Sequence, residues 1–299
     1  MTDKNKKVGF IGVGLMGHGM AKNIVEKGWP LTVLGHRNRQ PVDDLIGRGA
    51  GEGQNAAELA RDCDLVFICV TGTPQVEENV FGENGILAGI TPGTIVVDCS
   101  TTVPDSTRKV AAAIADKGGR FMDMPLNRTP VQAEEGKLAV MYGGDEALFA
   151  EIKPVVECFA DQFNRCGEVG SAIAVKLVNN FLALGTAILA NEAMAVARKA
   201  GIDKQVLYNV ITAGGGDSTM FRRMAQNVLE NDDSAFQFTI KNMHKDLTYY
   251  TRMAEALPAT ASMAENARQL VTLARVAGDE NAFGPRIYDV LCKLNGVER

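Results

Sequence analysis

The first half of the chain alternates short apolar runs with amphipathic stretches. Residues 8–11, 31–34, 65–70 and 94–98 are dense in Val, Ile and Leu and are bounded by Gly, Asp or Pro. Apolar runs of that length, without alternation, read as strands buried on both faces. Residues 121–124 and 138–142 look like further strands of the same sheet. Between them lie helical patterns over 16–27, 41–47, 56–60, 74–79 and 104–115. Strands alternating with helices predict βαβ units, and hence a parallel sheet with helices on both faces.

After about residue 168 the texture changes. Residues 171–201 hold no strand-like segment and are dominated by Ala, Leu, Val, Asn and Lys. They predict one long helix with Ser171 as its N-cap. Further helices are expected at 204–213, 220–230, 240–256, 258–277 and 283–294. The fold class is therefore α/β followed by all-α. A doubly wound parallel sheet occupies 1–168 and a helical domain 169–299, with a tight junction and a cleft expected between them.

Composition narrows the function classes. Apolar residues make up 46% of the 299 and charged residues 22%, as in ordinary globular proteins. The net charge of −5 and the lack of a basic patch speak against nucleic acid as the main partner. Small anionic substrates stay open, because a few local cations decide those. The first residues are polar, and no uninterrupted apolar run is long enough to span a bilayer, so no membrane partner is expected. The six cysteines show no CxxC pair, and Cys69 and Cys99 sit inside apolar runs as buried reduced thiols. A cytoplasmic location follows as the expectation. His18, His36 and His244 match no metal-ligand spacing, so no metal is expected.

The chemistry begins with Val8-Gly9-Phe10-Ile11-Gly12-Val13-Gly14-Leu15-Met16-Gly17, a strand running into Gly-x-Gly-x-x-Gly and then a helix. Gly12 permits the tight turn, Gly14 lets the backbone approach a pyrophosphate, and Gly17 allows close helix–strand packing. The helix N-terminus adds free N–H groups and positive dipole. With a second strand about twenty residues on, this is the Rossmann dinucleotide fingerprint, and Leu15 and Met16 lie on the same turn. An NAD-selective site places an acid at the tip of that second strand. Here the tip reads Leu34-Gly35-His36-Arg37-Asn38-Arg39, with no acid before Asp43. Guanidiniums suit a 2′-phosphate, so NADP(H) is favoured, with NAD as the alternative and His36, Arg37 and Asn38 as candidate contacts. A solvated basic loop is the other reading.

On the long helix, Lys176 and Asn180 are four apart and share a face. A lysine among Ala, Val and Leu at a domain junction is desolvated, which lowers its pKa and suits it to proton exchange. By spacing alone, a solvated surface lysine is the commoner case.

Five motifs stand in order along the chain. They are Gly12-x-Gly14-x-Met16-Gly17-x-x-Met20, Asp98-Cys99-Ser100-Thr101 and Asp123-Met124-Pro125-Leu126, then Gly167-x-x-Gly170 leading to Lys176-x-x-Asn179-Asn180, and finally Lys245-Asp246-Leu247. Together they resemble the β-hydroxyacid dehydrogenase family, which includes 3-hydroxyisobutyrate dehydrogenase and tartronate semialdehyde (2-hydroxy-3-oxopropionate) reductase. The resemblance covers nearly the whole chain. It implies a nucleotide-binding domain joined by a long interdomain helix to a helical domain for substrate and oligomerisation, assembled as a homodimer or homotetramer. It implies that Lys176 is the general acid/base acting on a short 3-hydroxy acid or its semialdehyde. The resemblance also implies that Asn180 orients the substrate with Asn179 in support, that Thr101, with Val70 and Thr71 on the neighbouring loop, contacts the cofactor near the nicotinamide, and that Lys245 reaches the cofactor from the helical domain.

The sequence departs from the family where the substrate loop usually reads Asp-x-Pro-Val-Ser-Gly-Gly. Here Asn127 replaces the serine, and Arg128 and Thr129 replace the glycines. All three are candidate substrate contacts. A similar Arg-Thr pair occurs in the sulfolactaldehyde reductase branch, which makes a second substrate anion the alternative. Arg128 could instead turn away and pair with Glu134 or Glu135. Two other readings remain: a non-catalytic dinucleotide-binding scaffold or sensor, and an imine reductase, against both of which Lys176 argues.

Overall fold

The computed structural model describes residues 4–35 and 37–299. His36, one of the candidate cofactor contacts, lies outside the described residues. The chain divides into two compact units, Met1–Lys176 and Leu177–Arg299, a boundary somewhat later than the change in sequence texture suggests.

The first unit is built on one sheet. Its strands are β1 (Val8–Ile11), β2 (Leu31–Leu34), β3 (Gly51–Gly53), β4 (Leu65–Ile68), β5 (Ile95–Asp98), β6 (Arg120–Asp123), β7 (Leu126–Asn127), β8 (Leu138–Gly143) and β9 (Ala160–Gly167). They lie in the order β3-β2-β1-β4-β5-β6-β8-β7, with β9 also pairing to β8. The pairs from β3 through β6 are parallel, whereas β8 runs antiparallel to β6 and β7 and parallel to β9. Chain order reverses between β1 and β4, the switch point of a doubly wound sheet.

The unbroken apolar runs are explained by burial on both sides. In β4, Leu65 and Phe67 join one core and Val66 and Ile68 the other; in β5, Ile95 and Val97 face the first and Val96 the second. Each fully buried side chain of this kind contributes about 1.5–3 kcal/mol. Phe10, Phe67 and Phe159 form the aromatic centre of the first core, with ring centroids 5.9 and 5.7 Å apart.

The long helix runs over Ser171–Lys199, beginning in the first unit and continuing into the second. The second unit adds the helices Lys204–Thr212, Thr219–Glu230, Ile240–Ala256, Ser262–Ala277 and Ile287–Leu294. Their starts are capped by Asp203, Ser218 and Thr239 for the first three of these. Leu184, Ile188, Phe221, Met243, Leu247 and Ile287 are among the side chains that close its own core. By length and composition alone the long helix could cross a bilayer, although no uninterrupted apolar run stood out in the sequence; a third of its most apolar window is buried within the chain.

Candidate active site

The residues singled out in the first unit follow the carboxyl ends of neighbouring parallel strands. Gly12 follows β1, Arg37 and Asn38 follow β2, Val70 and Thr71 follow β4, and Thr101 follows β5. In open α/β sheets this edge, beside the switch point, is where ligands bind.

The three fingerprint glycines are needed for three different reasons. Gly12 has φ +97°, and a Cβ there would lie 2.2 Å from the Cys69 carbonyl oxygen. At Gly17 a Cβ would lie 2.0 Å from the Gly12 carbonyl oxygen, so the helix could not approach the strand. At Gly14 a Cβ would meet no protein atom within 4 Å. The space over Gly14 is therefore kept open, as a pyrophosphate requires. Beside it, the helix Gly17–Glu26 starts without a side-chain cap, the setting in which a helix N-terminus can receive an anion. Leu15 is 76% exposed on this turn and Met16 is half-buried. These residues fit a dinucleotide.

At the far end of the same edge, an open depression of about 440 Å³ is lined by Gly35, Arg39, Glu52, Gly53 and Gln54. Arg37 and Asn38 are exposed beside it. Asn38 Oδ1 accepts a 3.2 Å hydrogen bond from the Gln40 N–H and so shapes the start of the helix Gln40–Gly47. Arg39 is bound in a fork to Glu52 and reaches Asp43 at 2.9 Å. The guanidinium holds the Glu52 carboxyl below its usual range.

The loops after β4 and β5 are tied together by groups the sequence reading passed over. Asp98 Oδ1 accepts from the Ser100 N–H at 2.9 Å, and Ser100 Oγ accepts from the Val70 N–H at 3.0 Å. Asp98 is buried, which pushes its carboxyl up to about 6 against the opposing hydrogen bonds of Ser100. Thr101 is half-buried and Thr71 exposed on these loops. Burial pushes the Cys69 thiol up to about 12 and Cys99 upward too, so neither is a thiolate nucleophile near neutrality.

After β6 the chain makes the loop that departs from the family. Lys176 Nζ donates to Asn127 Oδ1 at 3.3 Å, which brings the candidate acid/base and the first loop residue together. Asp123, at the end of β6, accepts from the N–H groups of Gly170 and Ile173, both at 2.9 Å. These are the unsatisfied donors of the long helix, so the cap expected from Ser171 comes instead from a carboxylate distant in sequence. Burial raises the Asp123 carboxyl while those N–H groups pull it back down.

Arg128 and Thr129 both have partners within the first unit. Arg128 sits at φ +78°, a left-handed conformation that favours glycine. Its guanidinium donates to Asp161 Oδ1 at 2.7 Å, to Gln162 Oε1 at 3.0 Å and to the Lys137 carbonyl. It turns away, but onto β9 rather than toward Glu134 or Glu135. The Thr129 N–H and hydroxyl both donate to Gln132 Oε1 and organise the short helix Pro130–Glu134. Both side chains are engaged in holding the loop.

In the second unit, Asn179 is exposed on the long helix and its amide reaches Asn180 Oδ1 at 3.4 Å. Asn180 Nδ2 donates to Asp246 Oδ2 at 2.6 Å. The other oxygen of Asp246 lies 2.8 Å from Lys245 Nζ, which in turn sits 5.2 Å from the centre of the Tyr249 ring. Asp246 is 2% exposed, so this buried carboxylate fixes which way the Asn180 amide points. The motif Lys245-Asp246-Leu247 was visible in the sequence, but only Lys245 drew a role from it.

Comparison with known proteins accounts for both units. A family model described as the NAD binding domain of 6-phosphogluconate dehydrogenase matches residues 7–170. A second, described as NAD-binding of NADP-dependent 3-hydroxyisobutyrate dehydrogenase, matches residues 170–284. The cytokine-like nuclear factor N-PAC of Homo sapiens is 29% identical over 288 residues, which is 96% of this chain and 52% of that protein. The chain thus spans about half the length of that relative. The 2-hydroxy-3-oxopropionate reductase of Escherichia coli (strain K12) is 33% identical over 266 residues, 87% of this chain and 89% of that one. Among solved structures, 3-hydroxyisobutyrate dehydrogenase from Salmonella typhimurium matches with a TM-score of 0.84 at 30% identity, covering 96% of this chain and all of the other.

Proposed function

The chain belongs to the NAD(P)-dependent β-hydroxyacid dehydrogenase family, and from that premise we propose that it interconverts a short 3-hydroxy acid and its 3-oxo acid using NADP(H). The observation that carries the reading is the pairing of Lys176 Nζ with Asn127 Oδ1 on a helix whose start is pinned by Asp123. When bound, the nicotinamide supplies or accepts the hydride. Lys176 gives a proton to the carbonyl oxygen of the aldehyde, and in the other direction removes the hydroxyl proton. Asn127 directs the ammonium, because an amide oxygen attracts the charge without taking the proton. Asn180 lies one turn further along the same helix, and Asp246 fixes the orientation of its amide, which suits Asn180 to orienting a substrate. Asn179 steadies it.

The relatives supply the substrate class. Tartronate semialdehyde (2-hydroxy-3-oxopropionate) is the first choice, by similarity to the Escherichia coli reductase. A sulfonated aldehyde is the second. It would need Arg128, the residue that would read the extra anion, to exchange its contacts with Asp161 and Gln162 for the substrate. For the cofactor, Arg37, Arg39 and the match to an NADP-dependent family support NADP(H). Exposed Val175, Val178, Leu182, Leu189 and Val196 along the long helix support a homo-oligomer that covers them. Similarity to a nuclear factor favours a second reading, a dinucleotide-binding protein without turnover.

Initial rates with NADPH and NADH against tartronate, succinic and methylmalonate semialdehydes and sulfolactaldehyde test the proposal. Fast NADPH oxidation with one aldehyde supports it; cofactor binding with silence across these and across the matching hydroxy acids favours the second reading.

A further inference from the structure

The depression beyond β2 has an electrical arrangement that the NADP(H) reading does not by itself explain. Arg39 presents two nitrogens to Glu52, one of them at 3.0 Å, and a 2.9 Å contact to Asp43. Glu52 lies on β3 opposite Val33 of β2, and its carboxylate reaches Gly35, just past the end of β2, the region where this fold class holds an adenosine ribose. Gly35 makes room for the pair. A Cβ there would stand 2.4 Å from Glu52 Oε1 and 2.7 Å from Arg39 Nη1. Gly35, Arg39 and Glu52 line the depression together with Gly53 and Gln54.

Counting charges, Arg37 and Arg39 are balanced by Asp43 and Glu52, so the site is close to neutral before any ligand arrives. A 2′-phosphate carries nearly two negative charges. Binding it by Arg39 means taking the fork from one carboxylate and leaving that carboxylate beside the phosphate. The ion pair is solvent-exposed, with Arg39 at 48% and Glu52 at 34%, and exposed pairs are individually weak and easily exchanged. The phosphate therefore displaces Glu52 rather than being shut out by it, but at reduced affinity.

We propose that Glu52 is a specificity-determining residue whose carboxylate competes with the adenosine 2′-phosphate for the Arg39 guanidinium and so narrows the preference for NADP(H) over NAD(H). This rests on the reading of Arg39 as a 2′-phosphate contact. It assigns Glu52 the opposite role to the acid found at the tip of β2 in NAD-selective sites. That acid accepts from the ribose hydroxyl, whereas Glu52 acts only through the arginine it holds.

The test is calorimetric binding of NADP⁺, NAD⁺, adenosine 2′,5′-bisphosphate and 5′-AMP to the wild type, Glu52→Gln, Arg39→Gln and the double variant. Glu52→Gln keeps the size of the side chain and removes its charge. It is expected to tighten NADP⁺ and the bisphosphate about tenfold, or about 1.4 kcal/mol. NAD⁺ and AMP should stay within about twofold. The gain should shrink as salt is raised and vanish in the double variant. Unchanged or weakened NADP⁺ binding in Glu52→Gln overturns the proposal, as does a tightening that persists without Arg39. The two layers separate cleanly. If the wild type prefers NADP⁺ and Arg39→Gln abolishes that preference while Glu52→Gln does nothing, only the role of Glu52 fails. If Arg39→Gln leaves NADP⁺ affinity untouched, the reading of Arg39 fails and takes this proposal with it.

Discussion

Ile173 donates its backbone N–H to Asp123 Oδ2 at 2.9 Å across 50 residues of sequence. With the matching bond from Gly170, this fixes the start of the long helix to the end of β6, one turn before Lys176. The carboxylate both satisfies donors that a helix start leaves open and stands at the positive end of its dipole.

Replacing Asp123 by Asn leaves one of those buried N–H groups facing an amide N–H₂. The expected cost is about 1–3 kcal/mol in urea unfolding. As a positioning residue for Lys176, Asp123 should also affect turnover: kcat falls several-fold while KM changes little, and the loss disappears in a Lys176→Ala background. Normal kcat in a destabilised Asp123→Asn protein would show that the contact is structural only.

The fingerprint glycines separate folding from binding. Gly14→Ala adds a methyl to open space, so its stability should stay within about 0.5 kcal/mol of the wild type. Its NADP⁺ affinity should nevertheless drop at least tenfold, about 1.4 kcal/mol. Gly12→Ala forces a methyl against the Cys69 carbonyl in a left-handed backbone and should lower the melting temperature sharply. Melting curves with and without NADP⁺ distinguish the two. Equal loss of stability in both variants would contradict the open cradle.

Burial of Asp98 ties stability to pH. Its carboxyl stands at about 6 in the folded protein against 3.8 as reference, so the folded state holds the proton more tightly. That contribution is fully present below the unfolded value and is lost as pH rises through about 6. Asp98→Asn keeps an acceptor for the Ser100 N–H and cannot ionise. Relative to the wild type it should gain up to about 3 kcal/mol between pH 4 and 7 and be flat above. Denaturant midpoints of both proteins across that range give the answer; a constant difference would mean that Asp98 ionises normally.

Much of the fold was legible because its strands are buried on both faces. Val8–Ile11 and Leu31–Leu34 match their apolar runs residue for residue, and the helix Ile240–Ala256 matches its amphipathic stretch. Two of the elements that escaped are ones whose burial is slight. β3 is Gly-Glu-Gly at a sheet edge, and β9 reads Ala-Asp-Gln-Phe-Asn-Arg-Cys-Gly with most side chains in solvent. The helix Glu146–Val156 was missed although its signals were present: an Asp145 N-cap, then Leu148, Phe149, Ile152 and Val155 on one buried face. In the candidate site, the backbone geometry at Gly12 and Gly17 is that of the tight turn the local sequence predicts. Partners distant in sequence were not legible, since nothing near Asp123 or Asp246 announces the N–H groups or the Asn180 amide that each one holds. The partners of Arg128 on β9 and of Thr129 at Gln132 were likewise invisible from the loop.

The most direct test of the proposed reaction is NADPH oxidation by the wild type and by Lys176→Ala with tartronate semialdehyde, alongside NADP⁺ affinity and a melting curve for each. A positioned general acid is worth about 10²–10⁴ in rate. The variant is expected to lose that much in kcat while keeping its fold and its cofactor affinity. Turnover near the wild-type rate in a folded, cofactor-binding Lys176→Ala protein would contradict the assignment.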